Sequence, residues 1–180
     1  MKYAVFLLSV LLSAPVNADA VSDNYLRQFT VLEQHLVPLA EAVPTERYSF
    51  RTTYDARTFR EQVKHVATAM YLAAALVLGE QPPYALGTDG NGPDAVQTKE
   101  NTVDYLRGAV EYARRAMKSL TEKNQLDPLT TSLGTRTRVE VAAALLQHAY
   151  LHLGQMQIYA QMAGAVPPPG VEGDAGLLPR

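Results

Sequence analysis

The stretch TRVEVAAALLQHAYLHLGQMQIYAQMA, Thr137–Ala163, decides the reading of this chain. Thr137 followed three residues later by Glu140 is a capping box, in which a hydroxyl and a carboxylate satisfy each other's orphan backbone N–H groups at a helix start. Val141, Leu145, His148, His152 and Tyr159 then recur at helical spacing on one face. Gly164 fits the position just past a helix end, and Pro167-Pro168-Pro169 cannot continue one. The spacing predicts a long amphipathic helix from about Thr137 to Ala163, with two imidazoles one turn apart on its inward face.

Working back along the chain, three more helices follow from the same periodicity. Lys99 to Lys123 carries Val103, Leu106, Val110, Ala113, Met117 and Leu120 on one stripe, with Gly108 inside it. Thr58-Phe59-Arg60-Glu61 is a second capping box, opening a helix with Phe59, Val63, Val66, Met70, Ala73 and Val77 on its core face and Gly79 at its end. Ser22 to Ala42 carries Leu26, Phe29, Leu32, Leu36 and Leu39, and Pro44 stops it. Between them lie a loop from Pro44 to Arg57, with an extended piece expected at Arg51–Tyr54, and a polar connection from Asn124 to Thr135. Glu80 to Val96 is rich in Pro and Gly and has no periodicity, so a long loop is expected there, serving as a lid or a crossover. Without a strand signal or an internal repeat, the pattern is all-α: a four-helix bundle with a long loop between its second and third helices.

The 180 residues carry 16 Lys+Arg against 18 Asp+Glu, a net charge of −2. That near-neutral balance lacks the basic excess of a phosphate-neutralising protein, so nucleic acid is not an expected partner. Apolar residues are 47% and charged residues 19% of the chain, a globular composition with enough apolar surface for one core. Cysteine is absent, which excludes disulfides, thiolate metal sites and a cysteine nucleophile, and leaves the four histidines as the soft ligands.

The first twenty residues read as a targeting segment. Lys2 precedes an apolar run from Tyr3 to Leu12, and Ala18-Asp19-Ala20 is an A-x-A cleavage pattern. The run of about ten residues is half of what a spanning helix needs. A signal peptide over residues 1–20 is therefore expected, the alternative being a buried N-terminal helix. Cleavage would leave a bundle domain over residues 21–166 and a loose Pro/Gly-rich tail over residues 167–180, exported to the periplasm or beyond, with no later membrane span.

The His148/His152 pair matches the H-x-x-x-H of zinc proteases, but Ala149 stands where that motif needs Glu, so such a protease is not expected. Two imidazoles aimed at an apolar core need partners for their ring nitrogens, and a shared metal ion supplies both. His65, on the helix-two arc with Gln62, Ala69, Leu72 and Leu76, can converge on the pair at mid-bundle. The alternative is a half-exposed His65 paired with water or Glu61. His35 is a possible fourth ligand, better placed near the surface.

These motifs resemble a known family. Pro44-x-Glu46-Arg47-Tyr48-Ser49-Phe50-Arg51, then Arg57-Thr58-Phe59-Arg60-Glu61-Gln62-Val63-x-His65-Val66-Ala67, and finally Leu146-Gln147-His148-x3-His152-x-Gly154-Gln155-Met156-x2-Tyr159 with Gly164-x-Val166-Pro167-Pro168, are similar in order to the DinB/YfiT-like metalloenzymes. The resemblance implies an up-down-down-up bundle, for which the long Glu80–Val96 loop would be the crossover. It implies a three-histidine site of His65, His148 and His152 holding zinc or nickel, and a possible homodimer. Some relatives are S-transferases or isomerases that use a bacillithiol- or mycothiol-type cofactor. This sequence departs from the pattern at Leu151, where an acidic residue is common, and at Gln161, where Arg is common.

Three imidazoles leave a metal with an open position, as in catalytic rather than structural sites. Metal-bound water can then act as a nucleophile at neutral pH, or a thiol can be activated. The expected function is that of a metal-dependent, hydrolase-like enzyme of unknown small-molecule substrate. A metal-dependent thiol S-transferase and a binding protein with a structural metal are the alternatives, and export counts against the cytosolic thiol cofactors. Gln62, Gln155 and Tyr159 are candidates for orienting the imidazoles, although Gln155 and Tyr159 could equally just pack between helices. No carboxylate stands out as a general base.

Overall fold

A computed structural model describes residues 20–165. The expected signal peptide, apart from Ala20, and the expected tail over 167–180 lie outside the described residues. Four helices dominate: α1 (Ala20–Ala42), α2 (Phe59–Leu78), α3 (Lys99–Lys118) and α4 (Arg138–Met162). Both capping boxes form, Thr58 with Glu61 and Thr137 with Glu140, and Gly79 closes α2 in the left-handed conformation. The buried stripe of each helix meets the others in one core, with Phe29, Leu32, Leu36, Val63, Met70, Leu106, Met117 and Met156 fully enclosed.

Hydrogen bonds between helices give their directions. Arg60 at the start of α2 donates to Gln97 O just before α3, and Tyr112 and Arg115 late in α3 donate to Glu80 just after α2, so these two helices run parallel. Tyr25 near the start of α1 donates to Val139 O at the start of α4, a second parallel pair. Ser22 bonds Lys118 O at the end of α3, and Arg138 bonds Val77 O at the end of α2, so the two pairs oppose each other. The topology is up-down-down-up. α2 packs on α3 and α4, and α1 packs on the same two helices. The parallel step from α2 to α3 requires a return along the full bundle, which is why the connection over residues 79–98 is long.

Three expectations need correction. α3 stops at Lys118, five residues before Lys123. Asn124 is the reason: its Oδ1 accepts from Thr121 N at 2.8 Å and its Nδ2 donates to Ser119 O at 2.7 Å, so a side chain takes over where the helix would have continued. The following polar connection is not strandless. Pro128–Thr131 (β1) and Gly134–Thr137 (β2) pair antiparallel, with Pro128 opposite Thr137 and Thr131 opposite Gly134. This threonine-rich ribbon has no fully buried residue and only Leu129 packed against the core, so it has no alternation of apolar and polar residues to announce it. The Arg51–Tyr54 piece, expected to be extended, is instead a turn, in which Arg51 donates to Tyr54 O. Among the described residues no helix is long and apolar enough to cross a membrane.

Candidate metal centre

α2 and α4 run antiparallel, and where they face each other mid-bundle the three histidines meet. His65 comes from α2, His148 and His152 from α4, and one ring nitrogen from each lies within 4.8 Å of the other two. The ring centroids are 4.3 Å apart for His148 and His152, 4.7 Å for His65 and His152, and 5.1 Å for His65 and His148. The Nε2 atoms of His148 and His152 approach to 3.1 Å. Nitrogens bound to one tetrahedral zinc at about 2.0–2.1 Å stand roughly 3.4 Å apart, so this spacing is near that of a shared ion. His35 is not in the group; its Nδ1 lies 2.7 Å from Val31 O on α1.

The backbone and two amides set the far sides of the rings. His65 Nδ1 sits 2.6 Å from Gly90 O; a carbonyl only accepts, so Nδ1 carries the proton and Nε2 presents its lone pair inward. Gly90 belongs to the long loop, which folds against α2. Asp89 accepts from both Asn91 N and Asn91 Nδ2 at 2.9 Å, forming a tight turn. Gly92 holds φ +77°, and a Cβ there would sit 2.8 Å from Thr68 Oγ1, so the loop needs glycine to lie this close to the helix. The loop thus orients the His65 ring, in addition to carrying the crossover.

Gln62, buried one turn before His65, reaches across to α4. Its Nε2 lies 2.5 Å from His152 Nδ1 and 2.5 Å from Gln155 Oε1. An amide that donates to Nδ1 leaves the proton on Nε2, the wrong tautomer for a ligand. With both amides turned by about 180°, Gln62 Oε1 accepts from Nδ1–H and from Gln155 Nε2, which frees His152 Nε2 for a metal. Tyr159 engages the segment before α2 and the start of α2. Its hydroxyl donates to Arg57 O at 2.8 Å and its ring packs edge-on against Phe50, so it braces the segment leading into α2.

Electrostatics keep the centre ready for a cation. Burial pushes the His148 pKa down to about 4, helped by His152, His65 and Arg57. Burial also lowers His65, against the pull of its Gly90 bond, and lowers His152, against a hydrogen bond to Gln155 that favours the protonated ring. All three are then neutral near pH 7, which is the form that binds metal. The donor set of three neutral imidazoles fits a divalent transition ion. Beside the centre an open cleft of about 600 Å³ is lined by Gln62, Gln155, Tyr159, Arg57, Asn91 and Asp55, among others.

Comparison with known proteins agrees with this architecture. The profile of the DinB superfamily matches residues 28–156, a span that includes all three histidines. The chain belongs to the DinB superfamily. Two solved DinB-like proteins share its fold, and their similarity speaks to the fold alone. One, from Bacillus subtilis, is 19% identical with a TM-score of 0.65, covering 82% of this chain and 96% of its own. The other, from Bacillus cereus, is 18% identical with a TM-score of 0.64, covering 81% and 95%. No curated protein matches the chain.

Sequence reasoning named the three histidines and the two glutamines that this DinB bundle brings together. It did not name Gly90, Asn91 or Arg57 as parts of the site. Asp89-Gly90-Asn91-Gly92 reads from sequence only as part of the long Glu80–Val96 loop, and a backbone carbonyl leaves no mark in a sequence to say which side chain it will meet.

Proposed function

We propose that this DinB protein is a metal-dependent enzyme acting on a small molecule, with hydrolysis as its reaction class and zinc or nickel as its ion. The observation that carries the reading is the convergence of three neutral imidazoles, with His65 fixed in its ligand tautomer, next to an open cleft whose lining residue Gln62 touches His152. His65, His148 and His152 would hold the ion, which when bound supplies a Lewis acid and lowers the pKa of water to about 7. Gln62 and Gly90 hold the rings in place, and Gln62 with its amide turned would select the Nδ1–H tautomer of His152. Asp55 is an exposed carboxylate that lines the cleft, while Glu61 is engaged in the Thr58 cap. The same reading includes export, from the targeting pattern of residues 1–20, and a homodimer, from the family resemblance.

Metal content of purified protein tests the proposal, beside a His148→Ala/His152→Ala double variant. About one zinc or nickel per chain, lost in the variant, together with hydrolysis of an ester, amide or phosphoester panel, is expected. Metal without hydrolysis but with thiol transfer would move the assignment to an S-transferase. Metal that supports only thermal stability would make it structural. A wild-type chain that binds no divalent ion overturns the proposal.

A further inference from the structure

We infer that the cleft beside the three histidines binds a small monocarboxylic acid, whose carboxylate is held by the Arg57 guanidinium. The inference rests on the proposed function in placing the acid's reacting end at the metal centre. Arg57 lines the cleft and is half-buried. Its Nε donates to Asn91 Oδ1 at 2.6 Å, and its backbone carbonyl is held by Tyr159. Asn91 is itself fixed by Asp89, so the guanidinium is anchored through a neutral amide and its charge is not spent on a carboxylate. None of the ion pairs among the described residues involves Arg57. A preorganised, unpaired guanidinium at a cleft wall presents the planar fork that suits a carboxylate.

Charge balance points the same way. Three neutral imidazoles compensate none of a divalent ion's charge, and Arg57 adds a further positive charge to the cleft beside them. Among the described residues, the only acidic one lining the cleft is the exposed Asp55, which hydrogen-bonds Thr53. One carboxylate from a ligand would pair Arg57, while Asp55 disfavours a second negative charge. The volume of about 600 Å³ lies within the range of small-molecule sites.

The test uses the full chain with hexanoate and its neutral isostere hexanamide as probes, read by calorimetry and by the NMR signal of Arg57 Nε–Hε. Hexanoate is expected to shift that signal and to bind at least about tenfold tighter than hexanamide. Arg57→Gln should bring the two within about twofold, with metal content per chain unchanged. Arg57→Lys keeps the charge but not the fork; it should retain part of the preference and guards against misfolding of the first variant. No preference in wild type, or a preference that survives Arg57→Gln, overturns the inference. Metal content on the same samples separates the two claims. A metal-free chain that still prefers hexanoate through Arg57 sinks the proposed enzyme and keeps the anion site. A loaded chain with no preference does the reverse.

Discussion

Helix α2 presents two aromatic-rich faces that share one helix and differ in what satisfies them. Toward α3 it offers Tyr71, which packs with Tyr84, Tyr105 and Tyr112 at centroid distances of 5.2–5.7 Å. Two of the hydroxyls there find partners within the protein: Tyr105 with Thr68 at 3.1 Å, and Tyr112 with Glu80 at 3.2 Å. Toward α4 it offers His65, whose Nδ1 is satisfied by Gly90 while a ring nitrogen converges with those of His148 and His152 within 4.8 Å. A polar aromatic cluster that closes on itself holds a fold together. One that leaves convergent lone pairs asks for a ligand. Both faces also pin the long loop, through Tyr84 on one side and Gly90 on the other.

The sharpest way to break this comparison is to empty the α4 face. His148→Ala/His152→Ala should lower divalent-metal affinity by at least about a hundredfold, a larger loss than a supporting residue gives. The metal-free variant should keep its helical circular dichroism. If it unfolds, the histidines are core supports like the tyrosines, and the distinction fails.

The next effect in size tests the amide. Gln62→Leu removes the group that sets the His152 tautomer and should weaken metal binding by about 10- to 100-fold. Gln62→Glu keeps an acceptor toward Nδ1–H and should hold most of the affinity. Competition titration against a metal chelator reads both, and equal affinities for the Gln62→Leu variant and wild type would remove Gln62 from the site.

On the α3 side the expected cost is in stability, with metal affinity untouched. A Cβ on Gly108 would collide with the hydroxyl of the fully buried Tyr71. Gly108→Ala gains about 1 kcal/mol of helix propensity and meets an overpacking cost of about 1–3 kcal/mol. A net loss of about 1 kcal/mol is expected in urea unfolding. Adding Tyr71→Phe, which removes the clashing oxygen, should return the propensity gain.

The smallest effect lies at the start of α2, common to both faces. Thr58→Ala should cost about 1 kcal/mol, by removing the cap that orders the turn before His65. The Thr58 backbone N–H, and then its hydroxyl, hold the Glu61 pKa below the usual glutamate value, so this carboxylate supports the fold fully above that usual value. Its contribution is lost as pH falls through the lowered folded value. Denaturation of the metal-free protein should therefore show the Thr58→Ala penalty shrinking under acid. A penalty that is constant down to full protonation would remove the reciprocal cap from the account.

What the sequence by itself determined is local or periodic. Thr58, Thr137 and Gly79 mark helix ends because each acts on backbone groups within a few residues. The four apolar stripes imply four helices around one core, and the i, i+4 histidines share a face by helix geometry alone. The end of α3 was missed because Asn124 competes for backbone groups through its side chain. The β1–β2 ribbon was missed because an exposed strand pair has no buried face to impose a period. Only the tertiary structure decided the rest. The antiparallel contact of α2 with α4 sets His65 against a pair more than eighty residues away. The crossover brings Gly90 to the back of His65 and Asn91 to Arg57. These meetings depend on how helices and loop pack in space, and the groups that complete them include a carbonyl that every residue in the chain carries.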